Sequence, residues 1–217
     1  MSNIWKLEEL DTDGAIQEAA EKVDGATRAA FLRKAGIGAG AVLGSGAIVG
    51  ALPAFARAAT PASDVAILNF ALTLEYLEAA FYTEAVKSGG LKGKVKTFAT
   101  VVKAHEVAHV AALKAALGSA AVKSPKFNFK GATKGAAFQK TAQVLEDTGV
   151  AAYLGQVGNI KSPAILAAAG SILPIEARHA GWIRDLNGTS GAPQAFEKGK
   201  TKAQILAAVK GTGFIVG

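Results

Sequence analysis

Four long stretches after residue 63 are rich in alanine and leucine, carry polar residues singly between apolar ones, and contain no runs of β-branched residues. This pattern favours helix over strand. We predict four long helices and a short fifth one, at about 64–88, 92–118, 133–158, 162–186 and 201–210. Ser162 followed by Pro163 is typical of a helix start, and we expect Ser63 or Asp64 to cap the first helix.

The connections between these helices predict how they pack. Short links join the first helix to the second and the third to the fourth, so each pair should form an antiparallel hairpin. The link at about 119–133 is longer, and about 14 extended residues reach ~46 Å. A helix of about 26 residues is ~39 Å long, so this link can cross the whole bundle. The prediction is an all-α four-helix bundle with a long crossover between its second and third helices.

The two predicted hairpins carry the same reactive residues at nearly the same spacing. In each, the first helix has a glutamate with a tyrosine seven residues on, and the second has a glutamate with a histidine three residues on. These residues are Glu75, Tyr82, Glu106 and His109 in the first hairpin and Glu146, Tyr153, Glu176 and His179 in the second. Each glutamate lies about 15 residues, or ~22 Å, from its hairpin turn, which places the two at one height. The three-residue and seven-residue spacings keep each pair on one helix face.

One glutamate from each of two helices and Glu-x-x-His from the other two form the ligand set of di-iron carboxylate bundles. Apolar residues flank all four glutamates, which argues against a solvated face. Four carboxylates would neutralise two divalent ions, and without metal they should hold protons through raised pKa values. The chain has no cysteine, so the metals rest on oxygen and imidazole ligands. Such ligands suit iron first, with manganese or zinc as alternatives. Tyr82 and Tyr153 are the candidate catalytic residues.

Two acidic neighbours leave the ligand assignment open. Glu78 lies one turn from Glu75 and could replace it as the ligand, although the spacing to Tyr82 favours Glu75. Asp147 adjoins Glu146 but points about 100° away around the helix, so we expect it to face solvent or to contact a ligand.

The same residues allow other functions. His105-Glu106-x-x-His109 fits the zinc metalloprotease pattern, in which two histidines bind zinc and the glutamate acts as base. The dimetal interpretation instead leaves His105 on the flank of its helix, and it also explains the second hairpin. A third possibility is a metal-binding or structural stress protein that turns over no substrate, because fold alone does not give function.

Three segments, at 69–82, 105–109 and 175–180, resemble the exported bacterial ferritin-like domain proteins. These are relatives of plant desiccation-related proteins and, more distantly, of rubrerythrin and bacterioferritin. The resemblance covers about residues 60–186 and implies a ferritin-like bundle with the six Glu and His ligands named above. It implies no particular activity. Without cysteine there can be no rubredoxin-type iron site, and with Met1 as the single methionine a methionine-ligated haem is unsupported.

The first 58 residues have the organisation of an export signal. Arg28, Arg33 and Lys34 precede the uncharged run 35–56, and small residues follow it. The stretch resembles a degenerate twin-arginine signal, with cleavage expected after Ala56 or Ala58. An uncleaved membrane anchor is the alternative, because 22 uncharged residues can span a bilayer. Either way we expect a periplasmic, cell-surface or extracellular protein, with the bundle at 59–188 and a C-terminal strap at 189–217.

The net charge of +7 and the pI near 9.6 raise the question of nucleic-acid binding. The lysines are spread singly and form no basic patch with interleaved aromatic residues, so we expect a solvated surface and no nucleic-acid partner. Membrane contact is expected only through residues 35–56 before cleavage. The first predicted helix is apolar nearly all round, which suggests either a covering tail or a homo-oligomer contact.

Overall fold

The computed structural model describes residues 60–216. Within this range the chain forms five α-helices: α1 (Ala62–Lys87), α2 (Gly93–Leu117), α3 (Gly135–Val157), α4 (Pro163–Leu186) and α5 (Lys202–Thr212). A short 3-10 turn, Gly118–Ala120, follows α2. The bundle has α1 packed mainly on α2 and α3 mainly on α4, with smaller contacts between α1 and α3 and between α2 and α4. The all-α four-helix prediction is confirmed. The predicted export signal or anchor lies outside the described residues.

The ends of α1 and α4 meet through a buried carboxylate. Ser162 caps α4 as predicted, because its hydroxyl accepts a backbone N–H of the first turn. The expected cap of α1 is wrong, since that helix follows Pro61 without a side-chain cap. Asp64 is fully buried and accepts hydrogen bonds of 2.8–3.2 Å from the backbone N–H groups of Lys161 and Ser162. A residue expected to start one helix therefore holds the connection that leads into another.

The crossover between α2 and α3 pairs with the C-terminal tail. Phe127 and Ile215 form an antiparallel bridge, and the N–H of Asn128 donates to the carbonyl of Phe214 at 2.8 Å. The rings of Phe129 and Phe214 meet edge to face, with centroids 5.4 Å apart. These contacts fix the long connection along the side of the bundle.

The strap that leads from α4 to α5 presses its backbone against α3. The N–H of Lys200 donates to the carbonyl of Ala151 at 2.9 Å. A Cβ at Gly155 would lie 2.0 Å from the carbonyl oxygen of Lys200, so this close approach requires glycine on α3. The strap thereby places α5 against the bundle.

The apolar surface of α1 is covered within the chain. Phe70 and Leu74 are buried in one cluster with Ile205 and Val209 of α5. By length and composition α1 could cross a membrane, but 56% of its most apolar window is buried in the bundle, as expected for a core helix. A covering tail thus accounts for the apolar character of α1, and the homo-oligomer stays a prediction.

Candidate metal centre

The four long helices bring all six predicted ligands together at the middle of the bundle. Each is held by the helix on which it was predicted: Glu75 on α1, Glu106 and His109 on α2, Glu146 on α3, and Glu176 and His179 on α4. The four glutamates have no exposed surface, and the two histidines are 9% and 2% exposed. Carboxylates so deeply buried require partners, because an isolated charge in an apolar interior is very costly.

The first set of ligands surrounds His109. Its Nδ1 lies 3.3 Å from Oε2 of Glu75, 3.1 Å from Oε2 of Glu106 and 3.2 Å from Oε1 of Glu176. One donor atom from each of these four residues lies within 4.8 Å of all the others. Three helices, α1, α2 and α4, thus bring their ligands to a single point.

The second set surrounds His179 in the same manner. Its Nδ1 lies 3.1 Å from Oε1 of Glu106 and 3.2 Å from Oε2 of Glu146. With Glu176 these residues form a second group whose donor atoms lie within 4.8 Å of one another. Glu106 and Glu176 belong to both sets, and Glu106 turns one oxygen towards each histidine. The two shared carboxylates therefore stand between two neighbouring positions.

The arrangement of the donor atoms suits coordination of metal ions better than hydrogen bonding among the side chains. Five buried atoms of the six candidate ligands make no hydrogen bond among the described residues: Oε1 of Glu106, Oε2 of Glu146, both Oε atoms of Glu176 and Nδ1 of His179. Each such orphan costs about 1–3 kcal/mol. Donors at 2.0–2.2 Å from one ion lie about 3.0–3.5 Å apart, which matches the observed nitrogen-to-oxygen distances of 3.1–3.3 Å. The residues present therefore fit two metal ions with oxygen and imidazole ligands.

The two tyrosines hold the outer glutamates across the bundle. The hydroxyl of Tyr82 on α1 donates to Oε1 of Glu146 on α3, and that of Tyr153 on α3 donates to Oε1 of Glu75 on α1, each at 2.5 Å. The sequence places each tyrosine on the face of its own glutamate, but its partner is the glutamate of the other hairpin. Burial and then the neighbouring carboxylate raise the pKa of both tyrosines well above 10. Both therefore stay protonated donors, and a catalytic role for them stays a prediction.

Without metal, the centre holds protons. Burial, followed by the charge of Glu75, raises the pKa of Glu106 to about 7, and burial and Glu106 raise the pKa of Glu176 well above its usual value. Burial alone would lower the histidine pKa values, but the surrounding carboxylates outweigh it and raise the pKa of His179 to about 10 and that of His109 further. Glu75 is the exception, because His109 outweighs its burial and lowers its pKa.

The two acidic neighbours take different positions. Glu78 is buried beside the centre but belongs to neither ligand set, which favours Glu75 as the ligand. Burial and then the charge of Glu176 raise the pKa of Glu78 well above its usual value. Gly149 stands where α3 corresponds to Glu78 of α1, and a Cβ there would lie 2.8 Å from Oε2 of Glu176. Asp147 turns away and pairs with Arg184 at 2.8 Å.

His105 is the residue that the sequence interpretation missed. It was expected on the flank of α2 without a role, but its Nδ1 lies 2.8 Å from Nε2 of His179. The sequence feature that could have indicated this contact is the four-residue spacing between His105 and His109, which places both on one side of α2. Neither ligand set includes His105, so among the described residues the zinc metalloprotease pattern lacks its second histidine.

Comparison with known proteins places this centre in a family. A sequence model described as a ferritin-like domain matches residues 63–189, which is more than half of the chain and includes all six candidate ligands. A search of curated proteins found no match. The relation to exported and desiccation-related proteins stays a prediction. The sequence match and the helical bundle agree, and the chain belongs to the ferritin-like domain family.

Proposed function

We propose that this protein binds two metal ions in a carboxylate-bridged centre, with iron as the metal, and acts as an oxidoreductase on oxygen, peroxide or ferrous iron. The observation that carries the proposal is the overlap of two histidine-containing ligand sets in two shared carboxylates, Glu106 and Glu176. In this assignment Glu75 and His109 complete the first position, and Glu146 and His179 complete the second.

The charge of the centre supports two divalent ions. Four carboxylates carry −4 and two divalent ions carry +4, so the filled site is neutral, as a site with four fully buried glutamates requires. Two imidazoles disfavour magnesium and calcium, which prefer oxygen ligands alone, whereas iron, manganese and zinc accept both ligand types. Iron is proposed because carboxylate-rich bundles of this ligand pattern hold di-iron or di-manganese centres.

The surrounding residues would prepare the centre for redox chemistry. Two iron ions, when bound, would supply electrons to dioxygen or peroxide, or take them from ferrous iron. Tyr82 and Tyr153 each keep a proton on a hydroxyl that is hydrogen-bonded to a candidate ligand. Those hydroxyls fix the orientation of Glu146 and Glu75, so that the second oxygen of each carboxylate faces a histidine. Fully buried Leu72 of α1 and Val102 of α2 belong to the apolar interior, which keeps bulk water out.

A metal-holding protein without turnover is the second candidate. Its support is the closure of the site, because the most exposed of the six candidate ligands, His109, is only 9% exposed. A centre closed in this way suits a protein that stores metal ions or uses them to stabilise its bundle. The two candidates share the ligands and differ in whether a substrate is consumed.

Reloading the metal-free protein with ferrous iron under argon separates these candidates. We expect about two irons per chain and consumption of peroxide or oxygen over many turnovers, followed by optical spectroscopy. Glu146→Ala should abolish the turnover, whereas Tyr76→Phe, which removes only a hydroxyl bonded to the carbonyl of Val122, should retain it. Full iron loading without consumption of oxygen, peroxide or excess ferrous iron would overturn the oxidoreductase and favour the metal-holding protein. Failure to bind iron, manganese or zinc would remove both.

A further inference from the structure

A shift of 70 residues relates the ligands on α2 to those on α4, and the repeat breaks at the residue just before the shared glutamate. Glu106 and His109 on α2 correspond to Glu176 and His179 on α4. The residue before Glu106 is His105, and its counterpart is Ile175. An isoleucine side chain can accept no hydrogen bond, so the repeat alone gives α4 no equivalent of His105.

His105 meets His179 in the geometry of a hydrogen bond. Their nearest nitrogens, Nδ1 of His105 and Nε2 of His179, are 2.8 Å apart. The ring planes differ by only 21°, and the ring centroids are 5.1 Å apart. The distance between the centroids exceeds the distance between the nitrogens by about the sum of the two ring radii. The rings therefore meet edge to edge and not face to face.

The contact determines which nitrogen of His179 carries the proton. Nδ1 of His179 faces Glu106 and Glu146, so a metal ion at the second position would need the lone pair of that nitrogen. A neutral imidazole has one N–H, which must then be on Nε2. That N–H would then donate to Nδ1 of His105, which lies 2.8 Å away. Histidines that bind metals commonly donate their other N–H to such a partner, which fixes the ring and its tautomer.

We propose that His105 is a positioning residue for the His179 position alone, so that the two metal positions differ in affinity although their ligands are equivalent by sequence. This inference rests on the proposed dimetal centre. His105 acts through His179 and binds no metal itself. Loss of such a partner typically lowers metal affinity 10–100-fold, and here the loss should fall on one position only.

Zinc affinity measured in two backgrounds tests the proposal. His109→Ala leaves the His179 position with its histidine, and His179→Ala leaves the His109 position with its histidine. Affinity for Zn²⁺ is measured by competition with a chelating dye. In the His109→Ala background, adding His105→Leu should lower the affinity 10–100-fold, and adding His105→Gln, whose amide oxygen can accept the N–H, should restore most of it. In the His179→Ala background, His105→Leu should change the affinity less than twofold.

Nitrogen-15 NMR of the zinc-loaded wild-type protein gives a second readout that needs no variant. His179 should show its proton on Nε2, protected from exchange by the bond to His105. Equal loss of affinity in both backgrounds, no loss in the His109→Ala background, or a proton on Nδ1 of His179 would each overturn the inference. None of these three results would contradict the proposed dimetal centre. A wild-type protein that binds no zinc, iron or manganese would instead defeat the proposed function.

Discussion

The hydroxyl of Tyr82 donates a 2.5 Å hydrogen bond to Glu146, which lies 64 residues away on α3. The reciprocal bond joins Tyr153 on α3 to Glu75 on α1, also at 2.5 Å. The two bonds tie the first hairpin to the second directly at the candidate metal centre. Each outer glutamate therefore has one oxygen fixed by a tyrosine and the other beside a histidine.

Removing either tyrosine hydroxyl should destabilise the protein. Tyr82→Phe leaves Oε1 of Glu146 buried without a donor, and Tyr153→Phe does the same to Oε1 of Glu75. An unsatisfied buried acceptor costs about 1–3 kcal/mol, and more when it is charged. We expect each variant to lower the free energy of unfolding by at least this amount, measured by urea denaturation.

The third tyrosine provides the matched control. Tyr76 donates to the backbone carbonyl of Val122 at 3.3 Å near the surface, where water can replace it. Tyr76→Phe should therefore change the free energy of unfolding by less than about 0.5 kcal/mol. Equal effects of all three substitutions would show that the two buried bonds have no special importance.

The metal-free protein should lose stability as the pH rises above neutrality. The folded-state pKa of His179 is raised from 6.5 to about 10, so the folded protein holds a proton that the unfolded chain releases. The free energy of unfolding should therefore fall between about pH 6.5 and pH 10. Glu106, raised from 4.5 to about 7, acts in the same direction at lower pH.

Bound metal should reverse this trend, because it requires deprotonated ligands and replaces the protons. At a hundred times its dissociation constant, metal that binds only the folded state adds about 2.7 kcal/mol. Urea titrations with chelator or with metal at several pH values measure both effects. A metal-free protein that becomes more stable from pH 6.5 to pH 9.5 would show that the cluster holds no such protons.

A side chain added at Gly149 should disturb a candidate ligand. A Cβ there would lie 2.8 Å from Oε2 of Glu176, a shared candidate ligand. Gly149→Ala should therefore displace that carboxylate and lower both the metal affinity and the stability.

Gly170→Ala is the control, because this exposed glycine of α4 has nothing within 4 Å of an added Cβ. It should stabilise the helix by up to about 1 kcal/mol. Melting temperature and metal titration should separate the two variants, and identical behaviour would contradict the packing argument.

Asp64 should contribute stability through the start of α4. Asp64→Ala leaves the backbone N–H groups of Lys161 and Ser162 without their acceptor, which should lower the free energy of unfolding by about 1–3 kcal/mol.

The contribution of Asp64 should also depend on pH. Burial raises the pKa of Asp64, but the N–H groups of Ser162 and Lys161 outweigh it and lower the pKa. This contribution should therefore be present at neutral pH and disappear as the pH falls through the lowered pKa. Ser63→Ala, which removes only a 3.2 Å bond to the same carboxylate, should have a smaller effect in the same denaturation experiments.

The ligand set could be predicted from the sequence because it depends on spacing within single helices. Glu-x-x-His fixes two side chains on one face whatever the helix packs against, and equal distances from the hairpin turn fix their height. The Ser162 cap is equally local, and α4 begins directly after that residue.

The contacts between helices could not be predicted, because they depend on how each helix is rotated in the bundle. The spacing of Tyr82 from Glu75 gives a shared face, but it does not reveal that the acceptor is Glu146 on another helix. For the same reason Asp64 was expected at the cap of its own helix, and His105 was expected away from the centre. Long-range pairing of the tail, such as the bridge between Phe127 and Ile215, has no signal in local spacing.

Metal content per chain, measured by elemental analysis after loading with excess metal, tests the dimetal centre most directly. We expect about two ions in the wild type, about one or fewer in His179→Ala, and near two in His105→Ala, which weakens one position without removing a ligand. If the protein needs His105 for metal and retains its full metal content without His179, the dimetal assignment is wrong. The repeat would then be only two similarly patterned helical hairpins.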